Sequence, residues 1–187
     1  MWVGLVGSNG AGKSVACNYL ATLGYAVVSL SDEVREAARA EGLSTTRDNL
    51  IQMGSALKAE FGPDVLAKRS MAKAKGQEKV VFDSIRHPTE AQLLKQNGVF
   101  LLGIDAPIEL RYNRIKARQK DTDQVSFEEF KAQDERENQG QSSGQNIFET
   151  LKCCDVILKN GVDIAAFYTQ LSQTLTQNNL HRRPQNV

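Results

Sequence analysis

The sequence predicts an α/β protein built on a parallel sheet with helices over both faces. Two observations carry this. Apolar runs of strand length alternate with segments of helical period, opening β-α-β-α, and that alternation produces parallel sheets whose faces are covered. At 187 residues the chain also suits one domain with a sizeable buried core.

The elements follow in order. Trp2–Val6 is an apolar run ending at a glycine and reads as a buried strand. From Gly12 the period becomes helical, with Val15, Tyr19 and Leu23 four apart and Gly24 as a stop. Residues 25–30 form a valine-rich second strand. Ser31 then stands as an N-cap, with Asp32 and Glu33 in the first turn of a second helix. No strand pattern occurs in 41–76. Thr46 caps a helix carrying Leu50, Ile51, Met53, Leu57 and Phe61; Gly62-Pro63 ends it, and another helix carries Val65, Leu66 and Met71. This predicts a helical hairpin inserted between strands two and three. Residues 79–83 form the third strand, ending on Asp83. A helix over 89–97 closes at Gly98, residues 99–104 form the fourth strand, and Pro107 opens a helix through 119. A polar stretch, 120–144, holds a short helix near 127–137. Residues 155–158 form the fifth strand and 162–175 the last amphipathic helix. The Gln/Ser/Gly run at 139–145 reads as a mobile loop within one domain, because too little chain follows for a second core.

Composition excludes some classes of function. Lys and Arg number 23 against 22 acidic residues, a net charge of +1, so a strongly basic nucleic-acid surface is not indicated. A few arginines and lysines can still cluster around the phosphates of a small ligand. The apolar runs are too short to span a membrane, and no basic region precedes the first strand as a signal peptide would require. Cys17, Cys153 and Cys154 have no metal-binding spacing, which suggests a reduced, cytoplasmic setting. The tail His181-Arg182-Arg183-Pro184 reads as a solvated end, with anion binding as the alternative.

The segment Gly7-Ser8-Asn9-Gly10-Ala11-Gly12-Lys13-Ser14 satisfies the P-loop pattern and lies between a predicted strand and a predicted helix. Its glycines let several N–H groups converge, and these amides with the following helix start bind a polyphosphate. In this pattern Lys13 reaches the β- and γ-phosphates of ATP and Ser14 places a hydroxyl on Mg²⁺. Asp83 ends a buried strand, where open α/β sheets place their ligands. It can hold Mg²⁺ or orient an acceptor hydroxyl, or it can simply cap a turn. Arg86 follows three residues later and offers a planar fork for phosphate. Arg111, Arg114 and Arg118 share one predicted helix face and Arg136 lies beyond. They form either a solvated stripe or a lid that closes on ATP and neutralises the transferring phosphoryl group. Arg35, one turn after Asp32, grips an acceptor phosphate or pairs with Glu36 or Glu41.

Several of these stretches carry a family resemblance that runs along most of the chain. Gly4-Leu5-Val6-Gly7 through Gly12-Lys13-Ser14, Leu23-Gly24-Tyr25, Cys154-Asp155-Val156-Ile157 and Asn160-Gly161 resemble dephospho-CoA kinase. Ser31-Asp32-Glu33-Val34-Arg35-Glu36, Val80-Val81-Phe82-Asp83-Ser84-Ile85-Arg86 and Asp134-Glu135-Arg136-Glu137 resemble the adenylate-kinase-related nucleotide kinases of archaea. After strand two, dephospho-CoA kinases usually carry paired aspartates, where this chain has Ser29-Leu30-Ser31-Asp32.

The resemblance implies a three-layer α/β/α P-loop NTPase fold with a five-stranded parallel sheet in the order 2-3-1-4-5. It implies one kinase domain, with a core of 1–35, 77–116 and 146–178, an acceptor-binding insert at about 36–76 and a lid at about 117–145. Asp32, Arg35 and Arg86 would bind the acceptor, and Asn160, Gly161 and Arg118 would contact the adenine. Lys13, Asp83, Arg114, Arg118 and Arg136 would be catalytic, with Ser14 and Asp83 at the metal. The expected activity is ATP- and Mg²⁺-dependent phosphoryl transfer to a nucleotide-type acceptor. Dephospho-CoA as acceptor, and a nucleotide-binding sensor that transfers nothing, are the alternatives.

Overall fold

The computed structural model describes residues 1–118, 125–138, 145–161 and 163–180. Residues 139–144 of the predicted loop at 139–145, 119–124 of the predicted lid and the tail from 181 lie outside the described residues.

Five strands form one sheet: β1 (Trp2–Val6), β2 (Ala26–Ser29), β3 (Val80–Ile85), β4 (Phe100–Asp105) and β5 (Val156–Lys159). They lie in the order β2-β3-β1-β4-β5 and every pairing is parallel, as the sequence leads one to expect. The reason is visible in β1. Val3 and Leu5 pack into one core with α1 (Lys13–Thr22) and α9 (Ile164–Gln177), through Leu20, Phe167 and Leu171. Val6 enters a second core on the opposite face, with Leu30, Leu57, Phe82 and Leu94. A strand buried on both sides needs helices on both sides, which crossovers between parallel strands provide.

Helices α2 (Leu30–Ala40), α3 (Arg47–Phe61) and α4 (Val65–Ala74) fill the interval between β2 and β3, so the predicted hairpin is present. Thr46 caps α3, its hydroxyl accepting from the Asn49 amide at 3.4 Å. The remaining helices are α5 (Pro88–Gln96), α6 (Ile108–Ala117), α7 (Phe127–Asn138) and α8 (Ile147–Lys152).

Three local expectations are corrected. Helix α2 starts directly from β2, with Ser29 rather than Ser31 as N-cap. The Ser31 hydroxyl instead bonds Ser29 Oγ at 2.9 Å and accepts from Arg35 at 2.8 Å. Strand β3 runs to Ile85, two residues past Asp83. Its register against β1 shifts between Gly4 and Val6, where Ser84 adopts the left-handed φ of 64°. Helix α8 was not expected. Its six residues are too few to show a period, and it follows a polar run.

Candidate functional site

The P-loop joins β1 to α1. Gly10 and Gly12 hold φ of 79° and 109°, left-handed values that a side chain resists. Space reinforces the backbone requirement. A Cβ on Gly10 would lie 2.6 Å from the Arg111 carbonyl oxygen, and one on Gly12 2.0 Å from Asn160 Nδ2. Neighbouring elements therefore set the shape of the loop. Asn160, buried after β5, donates from Nδ2 to the Ala11 carbonyl at 2.8 Å. Arg114 holds Asn160 in turn, donating to its Oδ1 at 3.2 Å and to the carbonyls of Asn160 and Gly161.

Arg111 and α7 support the other side of the loop. Its guanidinium meets the Asp134 carboxylate in a two-pronged pair at 2.6 and 2.7 Å, with both side chains buried. It also donates to the Ala106 carbonyl at 3.0 Å and to the Asn9 carbonyl at 3.4 Å. Ser8 Oγ donates to Asn138 Oδ1 at 3.2 Å, and Asn138 Nδ2 donates to Asp134 at 3.0 Å. Helix α7 is thus tied to the loop directly at Ser8 and, through Arg111 of α6, at Asn9. The pattern Asp134-Glu135-Arg136-Glu137 places Asp134 and Glu137 inward and Glu135 and Arg136 outward.

Lys13 folds back over the loop and donates to the carbonyls of Gly7 at 2.6 Å and Ser8 at 3.1 Å. Burial lowers its ammonium to about 8. Arg86 adds to the fall, while Asp83 and Glu137 oppose it. Cys17, one turn along α1, is pushed by burial to about 12, with Asp83 adding to the rise and Lys13 opposing it. Asp83 accepts from Ser84 Oγ at 3.2 Å through Oδ2. Its Oδ1 is buried and has no hydrogen-bond partner among the described residues. A buried, unpartnered carboxylate oxygen near the lysine of a phosphate loop suits a divalent cation, and Ser14 at the start of α1 is exposed.

From Asn9 and Ser84 a cleft of about 380 Å³ runs between α2 and α3. It is lined by apolar Leu30, Val34, Leu50, Ile51 and Leu66 and by cationic Arg35, Lys58, Arg86 and Arg118, with Glu90 and Glu137 among them. Arg35 donates to Asp32 at 2.6 Å and to Ser31 at 2.8 Å. Serine hydroxyls continue that link: Ser31 bonds Ser29, Ser29 donates to Ser84 at 3.2 Å, and Ser84 donates to Asp83. Arg86 donates to Gln145 at 2.9 Å and lies 3.7 Å from Glu137. Lys58 lies 3.2 Å from buried Glu90, whose other oxygen accepts the backbone amides of Arg86 and His87.

The structure therefore brings Arg35, Arg86, Arg118 and Asn9 to one cleft, beside Lys13 and Asp83. Asp32 lies at its edge as the partner of Arg35. Arg118 donates to Asn9 Oδ1 at 3.2 Å. Arg114 sits behind the loop. Arg136 lies on the exposed face of α7, bonded to the Ala132 carbonyl of its own helix, and does not line the cleft. The stripe of arginines on α6 thus divides three ways: Arg111 into a buried pair, Arg114 onto the β5–α9 turn and Arg118 into the cleft. Sequence reasoning missed Ser84, Lys58, Glu90 and Glu137. Ser84 and Glu137 stood inside segments that carry the resemblance, and Glu90 stands three residues after the His87 cap of α5 as in a capping box.

A parallel 2-3-1-4-5 sheet with a glycine-rich loop between β1 and α1 defines a P-loop protein of the kinase fold. A family model described as an AAA domain matches residues 3–138, and the chain belongs to that family. The UPF0200 protein of Thermococcus kodakarensis is 30% identical over 145 residues, covering 73% of this chain and 78% of that one. The UPF0200/UPF0201 protein of Archaeoglobus fulgidus is 33% identical over 180 residues, 92% of this chain; the chain spans only 54% of that relative's length. In fold, the chain is similar to shikimate kinase from Bacteroides thetaiotaomicron, with TM-score 0.59 at 12% identity, over 96% of this chain and 98% of that one. It is similar also to dephospho-CoA kinase from Campylobacter jejuni, with TM-score 0.52 at 21% identity, over 94% and 96%. Among the described residues, no helix is long and apolar enough to cross a membrane.

Proposed function

We propose that the protein is an ATP- and Mg²⁺-dependent kinase that transfers the γ-phosphoryl group to a nucleotide-type acceptor. The observation that carries this reading is the cleft. It opens from the phosphate loop at Asn9 and from β3 at Ser84, and it is lined by four cationic side chains together with apolar ones. An enzyme that only hydrolyses ATP has no need of such a second chamber, whereas a phosphotransferase must bind an acceptor in line with the donor phosphate.

Each residue then has a role. The loop amides bind the triphosphate, and Lys13 exchanges its carbonyl partners for phosphate oxygens. Asp83 and Ser14 would hold the Mg²⁺, which supplies charge neutralisation at the phosphates. Arg35 and Arg86 bind the anionic group of the acceptor, and Arg118 faces the transferring group from α6. Little covalent work falls to the protein; positioning and electrostatics dominate. The test is ADP release with ATP and Mg²⁺ against ribo- and deoxynucleoside monophosphates and dephospho-CoA. Acceptor-dependent release, lost in Lys13→Ala while the melting temperature holds, is expected. Equal turnover by Lys13→Ala would overturn the assignment.

A further inference from the structure

Helix α3 presents a row to the cleft with a gap at its centre. Leu50, Gly54 and Lys58 are four apart, so they stack on one face, and all three line the cleft with Ile51 between them. Gly54 sits at the middle of α3 (Arg47–Phe61), where glycine is among the poorest helix formers. Its backbone does not require glycine, because its φ is not left-handed. Packing does not require it either. The nearest heavy atoms to an added Cβ are the two Val34 methyls, both at 3.8 Å, which is ordinary contact. The P-loop glycines behave in the opposite way, since a side chain there would meet backbone or a buried amide. Neither conformation nor close approach accounts for Gly54. What it does is leave space open between Val34 of α2 and the row of α3.

We propose that Gly54 determines the specificity of the acceptor cleft, admitting the flat or apolar body of an acceptor whose anionic group points to Arg35 and Arg86. This rests on the kinase reading above. The body lies across the gap, against Val34, Leu50 and Ile51, and its charge meets the arginines. A methyl group at residue 54 would occupy that space without disturbing the helix pair, so stability and acceptor recognition should move in opposite directions.

The experiment compares wild type, Gly54→Ala and Gly54→Leu in two measurements. The first is the ligand-free melting temperature. The second is steady-state ADP release with ATP and each ribo- or deoxynucleoside monophosphate and dephospho-CoA. Gly54→Ala is expected to melt about 2–4 °C higher, as a mid-helix glycine replaced by alanine in a chain of this size should. Its KM for the acceptor should rise about tenfold or more, the scale of one extra carbon in a fitted pocket, with kcat and the KM for ATP little changed. Gly54→Leu should not saturate with acceptor at all, yet keep its KM for ATP. A lower melting temperature for Gly54→Ala would overturn the proposal, because the glycine would then serve helix packing. An unchanged acceptor KM in both variants would overturn it alone and leave the kinase reading standing. Wild-type protein that releases no ADP with any acceptor would overturn both.

Discussion

Removing the Asp134 carboxylate should cost this protein more stability than almost any other single polar change. Asp134 and Arg111 are 5% and 7% exposed and meet through two charged hydrogen bonds. In Asp134→Ala the guanidinium stays buried, with only the Ala106 and Asn9 carbonyls to receive its protons. Breaking one half of a buried pair costs about 3–5 kcal/mol, because an uncompensated charge remains. The pair Lys159–Asp105 is an internal control. Its side chains are 76% and 44% exposed, and exposed pairs contribute about 0–1 kcal/mol. Urea unfolding can be followed by the fluorescence of the chain's single tryptophan, Trp2, which packs edge-on against Phe82 in the core. Asp134→Ala should lower the midpoint strongly with an unchanged slope, Lys159→Ala hardly at all. The double variant Arg111→Met with Asp134→Leu should recover most of the loss, since apolar replacements of a buried pair are often neutral. If Asp134→Ala costs no more than the exposed control, the buried-charge argument is wrong.

Other expectations concern the cleft and its supports. Ser84→Gly keeps the left-handed backbone that Ser84 strains to adopt and removes the donor to Asp83. Its melting temperature should hold while kcat falls about tenfold, the scale of one hydrogen bond to a charged group. A fallen melting temperature with unchanged kcat would show that the Ser84 hydroxyl supports the fold rather than Asp83. His87 caps α5 in its neutral form, Nδ1 accepting the Thr89 amide at 3.3 Å, between Lys58 and Glu90. Burial first and Lys58 second lower its pKa below the usual value, with Glu90 opposing. Below about pH 6.5 the unfolded chain therefore binds more protons than the folded one. Its stabilising effect is complete above that pH and disappears as pH falls through the lowered folded value. His87→Asn, a strong cap that does not titrate, should flatten the stability profile in that window; an unchanged slope would show that another group sets it.

The fold was legible because its signals were local and repeated. A strand such as β1 is apolar throughout, α1 repeats every four residues, and Thr46 and Gly62-Pro63 mark both ends of α3. The phosphate loop was legible for the same reason, since its glycines answer to backbone conformation at those very positions. The cleft was less so. Lys58 and Glu90 meet across 32 positions of sequence, and nothing near either marks the pairing. The α6 arginines show the limit most clearly. Period alone puts Arg111, Arg114 and Arg118 on one face, yet the packing of α7 and the β5–α9 turn gives each a different partner. Ser31 was misread as a cap because the sequence cannot show that α2 begins without a loop.

The wedge that Asn160 drives under Ala11 spans 149 positions of chain. The phosphate-binding motif is finished by residue 14, but its shape is completed only when β5 has docked at the far edge of the sheet and delivered that amide. During synthesis the motif would leave the ribosome long before its lock, and a fragment ending at residue 138, where the family match stops, would carry the entire signature without it. In this protein the most recognisable segment of the chain depends for its shape on a residue that the motif does not contain.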